Sequence, residues 1–168
     1  MSDKVRHYAD EAIDITYDAR RCIHAAECVN GLPAVFDTAR RPWILPTGAS
    51  PDAIAAVIAQ CPTGALHFTR LDGGAPESAP EHTTIVPTPG GPLYVRGRVQ
   101  LRSADGSVAI EDTRLALCRC GQSQNKPFCD NSHRDVGFED PGDVGRSECN
   151  GSKETALAAS NPASQANH

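Results

Sequence analysis

Leu117-Cys118-Arg119-Cys120-Gly121-Gln122-Ser123-Gln124-Asn125-Lys126-Pro127-Phe128-Cys129-Asp130-Asn131-Ser132-His133 is the stretch on which the reading of this chain turns. It gathers three thiols and an imidazole within sixteen residues, Cys118 to His133. Four soft or borderline donors satisfy either a tetrahedral zinc ion or a two-iron cluster. Cys-x-Cys crowds two thiolates onto one metal, whereas zinc knuckles and fingers more often separate them by about two to four residues. The spacing favours iron–sulfur and leaves zinc open.

The surrounding composition agrees with a fold that leans on metal. The 168 residues are only 39% apolar and 5% aromatic, with 14 glycines and 13 prolines. Such a chain builds small cores, and small cores need cross-links or metals. A net charge of −5 without a long basic run excludes a binder of phosphate backbones, so no nucleic-acid partner is expected. The longest apolar run, Ala53 to Ala59, is too short to span a bilayer, so no membrane association is expected. The first residues carry Asp3, Asp10, Glu11 and Asp14 rather than an apolar signal segment. A cytoplasmic, reducing setting follows as the expectation, and there the seven cysteines read as ligands or reactive thiols rather than disulfides.

The pattern along the chain predicts an α+β protein in four parts. Residues 1–12 are a polar lead. Residues 13–70 form a small ferredoxin-like domain, 71–83 a linker, 84–139 a small β-rich cluster domain, and 140–168 a mobile tail with a short helix near Glu154 to Ala159. Because no ligand set crosses the linker, the two domains are expected to be separable. In the first, Ile13-Asp-Ile-Thr-Tyr17 alternates as a strand. Ser50-Pro51-Asp52 opens a helix with the stripe Ile54, Val57 and Ile58, stopped by Cys61-Pro62, and Ala65 to Phe68 returns as a strand. In the second, Leu93 to Val95, Arg98 to Leu101 and Ser107 to Ile110 read as short strands separated by Gly turns.

The cysteine-rich stretch resembles the CDGSH iron–sulfur family, whose pattern is Cys-x-Cys-x2-Ser/Thr-x3-Pro-x-Cys-Asp-Gly-Ser/Ala/Thr-His. Cys118, Cys120, Ser123, Pro127, Cys129, Asp130, Ser132 and His133 match it, and Gly91 to Gly97 looks like the strand that opens many bacterial members. The departure is Asn131 in place of Gly, and Asn is the next-best residue for left-handed backbone. The resemblance spans Pro87 to Phe138 and implies a [2Fe–2S] cluster, with Cys118 and Cys120 on one iron and Cys129 and His133 on the outer one. It further implies that a neutral imidazole in place of a thiolate raises the potential. Asp130 is expected to cap a helix starting near Ser132, Ser123 to serve the turn, and Lys126 to be solvated.

The first cysteine set is Cys22, Cys28 and a distant Cys61-Pro62. Bacterial ferredoxins use Cys-x2-Cys-x2-Cys with a remote Cys-Pro. Here the outer positions of that run are kept and the middle one is Ala25. Three thiolates suit a [3Fe–4S] cluster, whereas [4Fe–4S] needs a substitute fourth ligand, for which His24 is the neighbouring candidate. Residues 13–70 resemble the divergent mono-cluster ferredoxin family, through Cys22-x-His24-x3-Cys28-Val29, Gly31-Leu-Pro-Ala-Val-Phe36, Arg41-Pro-Trp43 and Cys61-Pro-Thr-Gly-Ala-Leu66. That family is commonly described as [4Fe–4S], and the absent middle cysteine favours [3Fe–4S] here. Trp43 reads as core, and Cys149 as a leftover free thiol.

No glycine-rich nucleotide motif follows a strand and no nucleophile triad is visible, so the chain reads as an electron carrier and not an enzyme. The partner this implies is a redox protein, reductase or acceptor. The alternative is a cluster-transfer or redox- and pH-sensing protein that releases its histidine-held cluster. A zinc-stabilised interaction module is the third class. Single-motif CDGSH proteins resemble half of a two-fold dimer, which makes a homodimer an option unless the fused domain takes that surface.

Overall fold

The computed structural model describes residues 5–145; Cys149 and the expected helix near 154–159 lie outside the described residues. The described chain forms two three-stranded antiparallel sheets and a few short helices.

Ile13 and Ile15 are fully buried while Asp14 and Thr16 between them are only partly so, the period of a strand with one face on a core. They lie in β2 (Ile13–Asp18), the centre of the first sheet, between β1 (Val5–Ala9) and β3 (Leu66–Arg70). β1 corrects the reading of residues 1–12 as lead. Its sequence Val-Arg-His-Tyr-Ala carries little apolar alternation and most of it is exposed, as an edge strand allows. The β1–β2 turn is tied by Asp10 Oδ1, which accepts from the Ala12 and Ile13 N–H groups at 2.8 and 2.9 Å.

Between β2 and β3 come α1 (Glu27–Gly31), a 3-10 turn (Pro46–Gly48) and α2 (Pro51–Ile58). Ser50 Oγ caps α2 by accepting from the Ala53 N–H at 3.3 Å, with Pro51 in the first turn, as read from sequence. Ile54 and Ile58, one turn apart, drop into a core of Ile13, Ile15, Val35, Phe36 and Ile44. The helix ends at Ile58, and a turn closed by the Cys61 N–H on the Ile58 carbonyl delivers Cys61.

The second sheet orders β4 (Thr84–Pro87), β5 (Leu93–Arg102) and β6 (Val108–Leu117), and α3 (Ser132–Asp135) follows. Gly97 was expected to separate two strands, yet β5 runs through it. The register shifts between Arg96 and Val99, and at φ 146° a Cβ there would lie 2.4 Å from Thr83 Oγ1. A bulge, not a turn, is what this glycine permits. Gly106, at φ 84°, does make the β5–β6 turn.

The segment 71–83 is more than a tether. Its Glu77 accepts from Arg114 Nη2 of β6 and lies 3.0 Å from His67 Nδ1 of β3. Arg114, 3% exposed, also donates to the Ile58 and Leu66 carbonyls, and Arg96 of β5 donates to the Ala59 carbonyl at 2.7 Å. Arg21 reaches back to Asp112 of β6 and to the Thr63 and Arg114 carbonyls. The two halves thus share a buried polar interface, at odds with the expectation of separable units. Beyond residue 139, Asp140 remains attached through Arg119 Nη1 at 2.6 Å and through the Gly90 N–H. No helix among the described residues is long and apolar enough to cross a membrane.

Candidate iron–sulfur centres

β6 ends at Leu117 and hands the chain to Cys118. The loop that follows folds back on the strand: the Cys118 N–H donates to the Pro127 carbonyl at 2.9 Å and the Cys129 N–H to the Ala116 carbonyl at 2.8 Å. This closure brings the two ends of the motif together. Cys118 and Cys120 Sγ lie 3.8 Å apart, and Cys129 Sγ lies 3.4 Å from His133 Nδ1. The four donors therefore come as two pairs, each shaped by local chain geometry. Gly121, at φ 77°, turns the Gln122 N–H onto Cys120 Sγ at 3.4 Å. Asn131, at φ 75°, turns its own N–H onto Cys129 Sγ at 3.4 Å and starts α3, one turn of which presents His133.

Asp130 holds this second turn. Its Oδ1 accepts from the Ser132 N–H and Oγ at 3.0 and 2.6 Å, and its Oδ2 from the Gln124 N–H at 2.8 Å. Burial works against the carboxylate, but these donors outweigh it and hold Asp130 at about 2. Ser123, 3% exposed, serves the turn as expected, donating to the Phe128 carbonyl at 2.7 Å. Lys126 is exposed, as expected of a solvated lysine, while its Nζ donates to the Ser123 carbonyl at 3.1 Å and its charge helps to lower the Cys118 pKa. Burial opposes that lowering, and the N–H groups of Ser123 and Gly121 are the main counterweight. Burial pushes the Cys129 thiol up, and lowers the His133 pKa with help from Arg134, leaving the imidazole in the neutral form that binds metal.

Cys22, Cys28 and Cys61 all line one cavity of about 690 Å³, with His24, Tyr17 and Trp43 among its walls. Ala25 stands on that wall too, where a ferredoxin run would carry its middle thiolate. The loop from Cys22 to Cys28 needs left-handed backbone at His24 (φ 56°) and Ala26 (φ 65°), a conformation that costs energy in residues other than glycine. Trp43 packs on the core as expected, edge-on to Tyr17 with ring centres 4.9 Å apart.

The electrostatics of this cavity suit a cationic guest. Burial, and then the neighbouring Cys61 and Cys22, push the Cys28 thiol up to about 11. Burial, and then Cys22, raise Tyr17 well above the ordinary phenol range, so it stays a neutral donor. Cys61 goes the other way. Burial opposes its ionisation, but the Thr63 and Leu66 N–H groups, the Thr63 hydroxyl 3.6 Å from its Sγ and the charge of Arg114 draw its pKa down. Several thiolates that repel one another in a poorly solvated space are stabilised by an iron core, which supplies the missing positive charge. Both sets carry the thiol chemistry that an iron–sulfur cluster needs. Among the described residues, no three or more His, Cys, Asp or Glu side chains close on one point as around a single metal ion.

Sequence reasoning did not find Tyr17, the side chain of Asn131, or the cluster of Arg21, His67, Glu77, Asp112 and Arg114. Only Asn131 carried a signal, as the departure from the family glycine.

The comparisons with known proteins follow the same division. Residues 8–71 match the family described as "Divergent 4Fe-4S mono-cluster", and residues 90–134 match "Iron-binding zinc finger CDGSH type". Uncharacterized protein YjdI, from two strains of Escherichia coli, is 36% identical over 63 residues, a stretch covering 38% of this chain and 83% of that protein. Both halves are thus iron–sulfur domains, and the chain belongs to the divergent 4Fe-4S mono-cluster family, with a CDGSH-type iron-binding domain joined to it.

Proposed function

We propose that this protein is a one-electron carrier with two iron–sulfur clusters and is not an enzyme. A [2Fe–2S] cluster is held by Cys118, Cys120, Cys129 and His133. A [3Fe–4S] cluster is held by Cys22, Cys28 and Cys61, or a [4Fe–4S] cluster if His24 supplies a fourth ligand. The observation that carries the reading is the pairing of donors in the second half. Cys118 with Cys120, and Cys129 with His133, each lie within 4 Å as a pair, the two-by-two arrangement by which four ligands serve two irons. When bound, such clusters take up and release single electrons without making or breaking a bond to substrate.

The protein residues set the terms. The Gln122 and Asn131 N–H groups aim at ligand sulfurs, a contact that stabilises added negative charge. Neutral His133 keeps one ligand uncharged, which favours reduction. A redox protein, reductase or acceptor, is the partner this work requires.

Metal analysis and electron paramagnetic resonance test the reading. The expected result is about five irons per chain and a paramagnetic oxidised state from the first site. About six irons with a silent oxidised state would replace [3Fe–4S] by [4Fe–4S], and zinc in place of iron would overturn the proposal. Reduction by a reductase that outruns cluster transfer to an apo-acceptor would favour the carrier over the transfer protein.

A further inference from the structure

The two donor sets meet at one joint. Cys22 lines the first cavity, while the next residue, Ile23, is 5% exposed and packs with Ala116 and Cys129 in the small core of the second half. The Ile23 carbonyl accepts a hydrogen bond of 2.8 Å from Asn131 Nδ2. Asn131 in turn gives its backbone N–H to Cys129 Sγ. A continuous path of covalent and hydrogen bonds so runs from Cys22 through Ile23 and Asn131 to the Cys129 sulfur.

Backbone geometry does not explain the asparagine. At φ 75°, glycine fits at least as well. Nor does local polarity, because Asn131 Oδ1 is buried without a hydrogen-bond partner, an unfavourable arrangement that glycine would avoid. What the side chain adds is the bond to Ile23.

We propose that Asn131 couples the two sites, so that metal occupancy of the first sets how firmly the second holds its cluster. The inference rests on the two-cluster reading. A filled first site fixes Cys22, and with it the Ile23 carbonyl against which Asn131 and the Cys129 loop align. An empty site leaves the 22–28 loop with its two left-handed residues and no ligand bond to restrain them, and Asn131 loses a fixed acceptor. Coupling between sites is reciprocal, so loss from the second site loosens the first.

The test follows loss of the [2Fe–2S] absorbance from the full chain in excess EDTA at neutral pH, with the first site filled or emptied by Cys28→Ser. With Asn131 in place, emptying is expected to speed the loss about 3- to 10-fold, the scale of one hydrogen bond. In Asn131→Gly, the ratio of the two rates is expected to fall to about 1, because the bond that transmits the effect is gone. Asn131→Asp, which sets a second oxygen against the Ile23 carbonyl, should lose the ratio as well. Asn125→Ala removes a different bond between the halves, from Asn125 Nδ2 to the Arg20 carbonyl at 2.8 Å, and should keep it. Equal loss rates with Asn131 present, or an undiminished ratio in both Asn131 variants, would overturn the coupling. If neither variant binds iron, equal or unequal rates in the presence of Asn131 decide. A protein that binds no iron at either site sinks the two-cluster reading, and the coupling with it; iron at both sites with equal rates sinks the coupling alone.

Discussion

Arg21 Nη1 lies 2.6 Å from Asp112 Oδ2, and both side chains are at most 10% exposed. The pair joins the residue before Cys22 to the strand that delivers Cys118, so this ionic contact helps to tie the cysteine loops of both halves together. Removing one partner of a buried pair strands the other charge. Asp112→Ala is therefore expected to destabilise the apo-protein by about 3–5 kcal/mol, and the double variant Arg21→Met with Asp112→Ala by clearly less than the sum of the single changes. Urea unfolding of the four proteins measures this; strict additivity would mean that the pair does not act as one.

The same interface bears on the second half in isolation. In a fragment of residues 84–139, Arg114 loses the Ile58 and Leu66 carbonyls and Glu77, Asp112 loses Arg21, and the small core loses Ile23. The fragment is expected to lose [2Fe–2S] absorbance at least about tenfold faster than the full chain, which corresponds to one lost buried contact or more. Matching rates would restore the picture of independent domains.

His133 offers a test of the pH-sensing alternative. The ring is 8% exposed and its pKa is lowered by burial and then by Arg134, so the ligating neutral form is favoured down to pH values below those of free histidine. Acid that protonates the ring still competes with metal for it, whereas the protons must displace an anion in His133→Cys. Absorbance at about pH 5 to 6, a window set by the free histidine pKa, should decay several-fold more slowly in the variant. Identical decay would remove His133 as the acid-labile ligand.

What the sequence made legible was whatever local rules decide. Ser50-Pro51 fixed the start of α2, the Ile13 and Ile15 alternation fixed β2, and the cysteine spacing picked out thiols that the fold brings near one another. What stayed hidden depends on contacts distant in sequence. β1 is a strand only because β2 offers it a partner, and Val5-Arg-His-Tyr-Ala has no period of its own to announce that. Gly97 read as a turn because a bulge and a turn need the same backbone freedom. Arg21, His67, Glu77, Asp112 and Arg114 are ordinary surface residue types, and only the folded chain brings them into one partly buried cluster around Arg114. The polar segment 71–83 read as a linker for that reason.

That cluster makes stability depend on pH through His67. Its Nδ1 lies 3.0 Å from Glu77 Oε2 and its Nε2 3.3 Å from Asp112 Oδ1, with Arg114 Nη2 facing Nδ1 at 3.3 Å. Burial acts to lower the His67 pKa, but the hydrogen bonds and charges of Asp112 and Glu77 outweigh it and push it up to about 9. The folded value lies above the unfolded value of about 6.5, so the stabilisation is fully present below that value and is lost as pH rises through about 9. Asp112 has the opposite sign: burial opposes its charge, yet His67 and Arg21 hold it at about 2, and its contribution fades only as pH falls toward that value. The interface is therefore strongest between about pH 4 and pH 6.5. The melting temperature of the apo-protein is expected to fall by roughly 3–8 °C more in wild type than in His67→Gln between about pH 6.5 and pH 9.5. Thiol ionisation contributes to both proteins over that range, so the difference between them isolates His67. Parallel curves would show that the imidazole carries no charge between the two carboxylates, and that Arg114 alone balances Glu77.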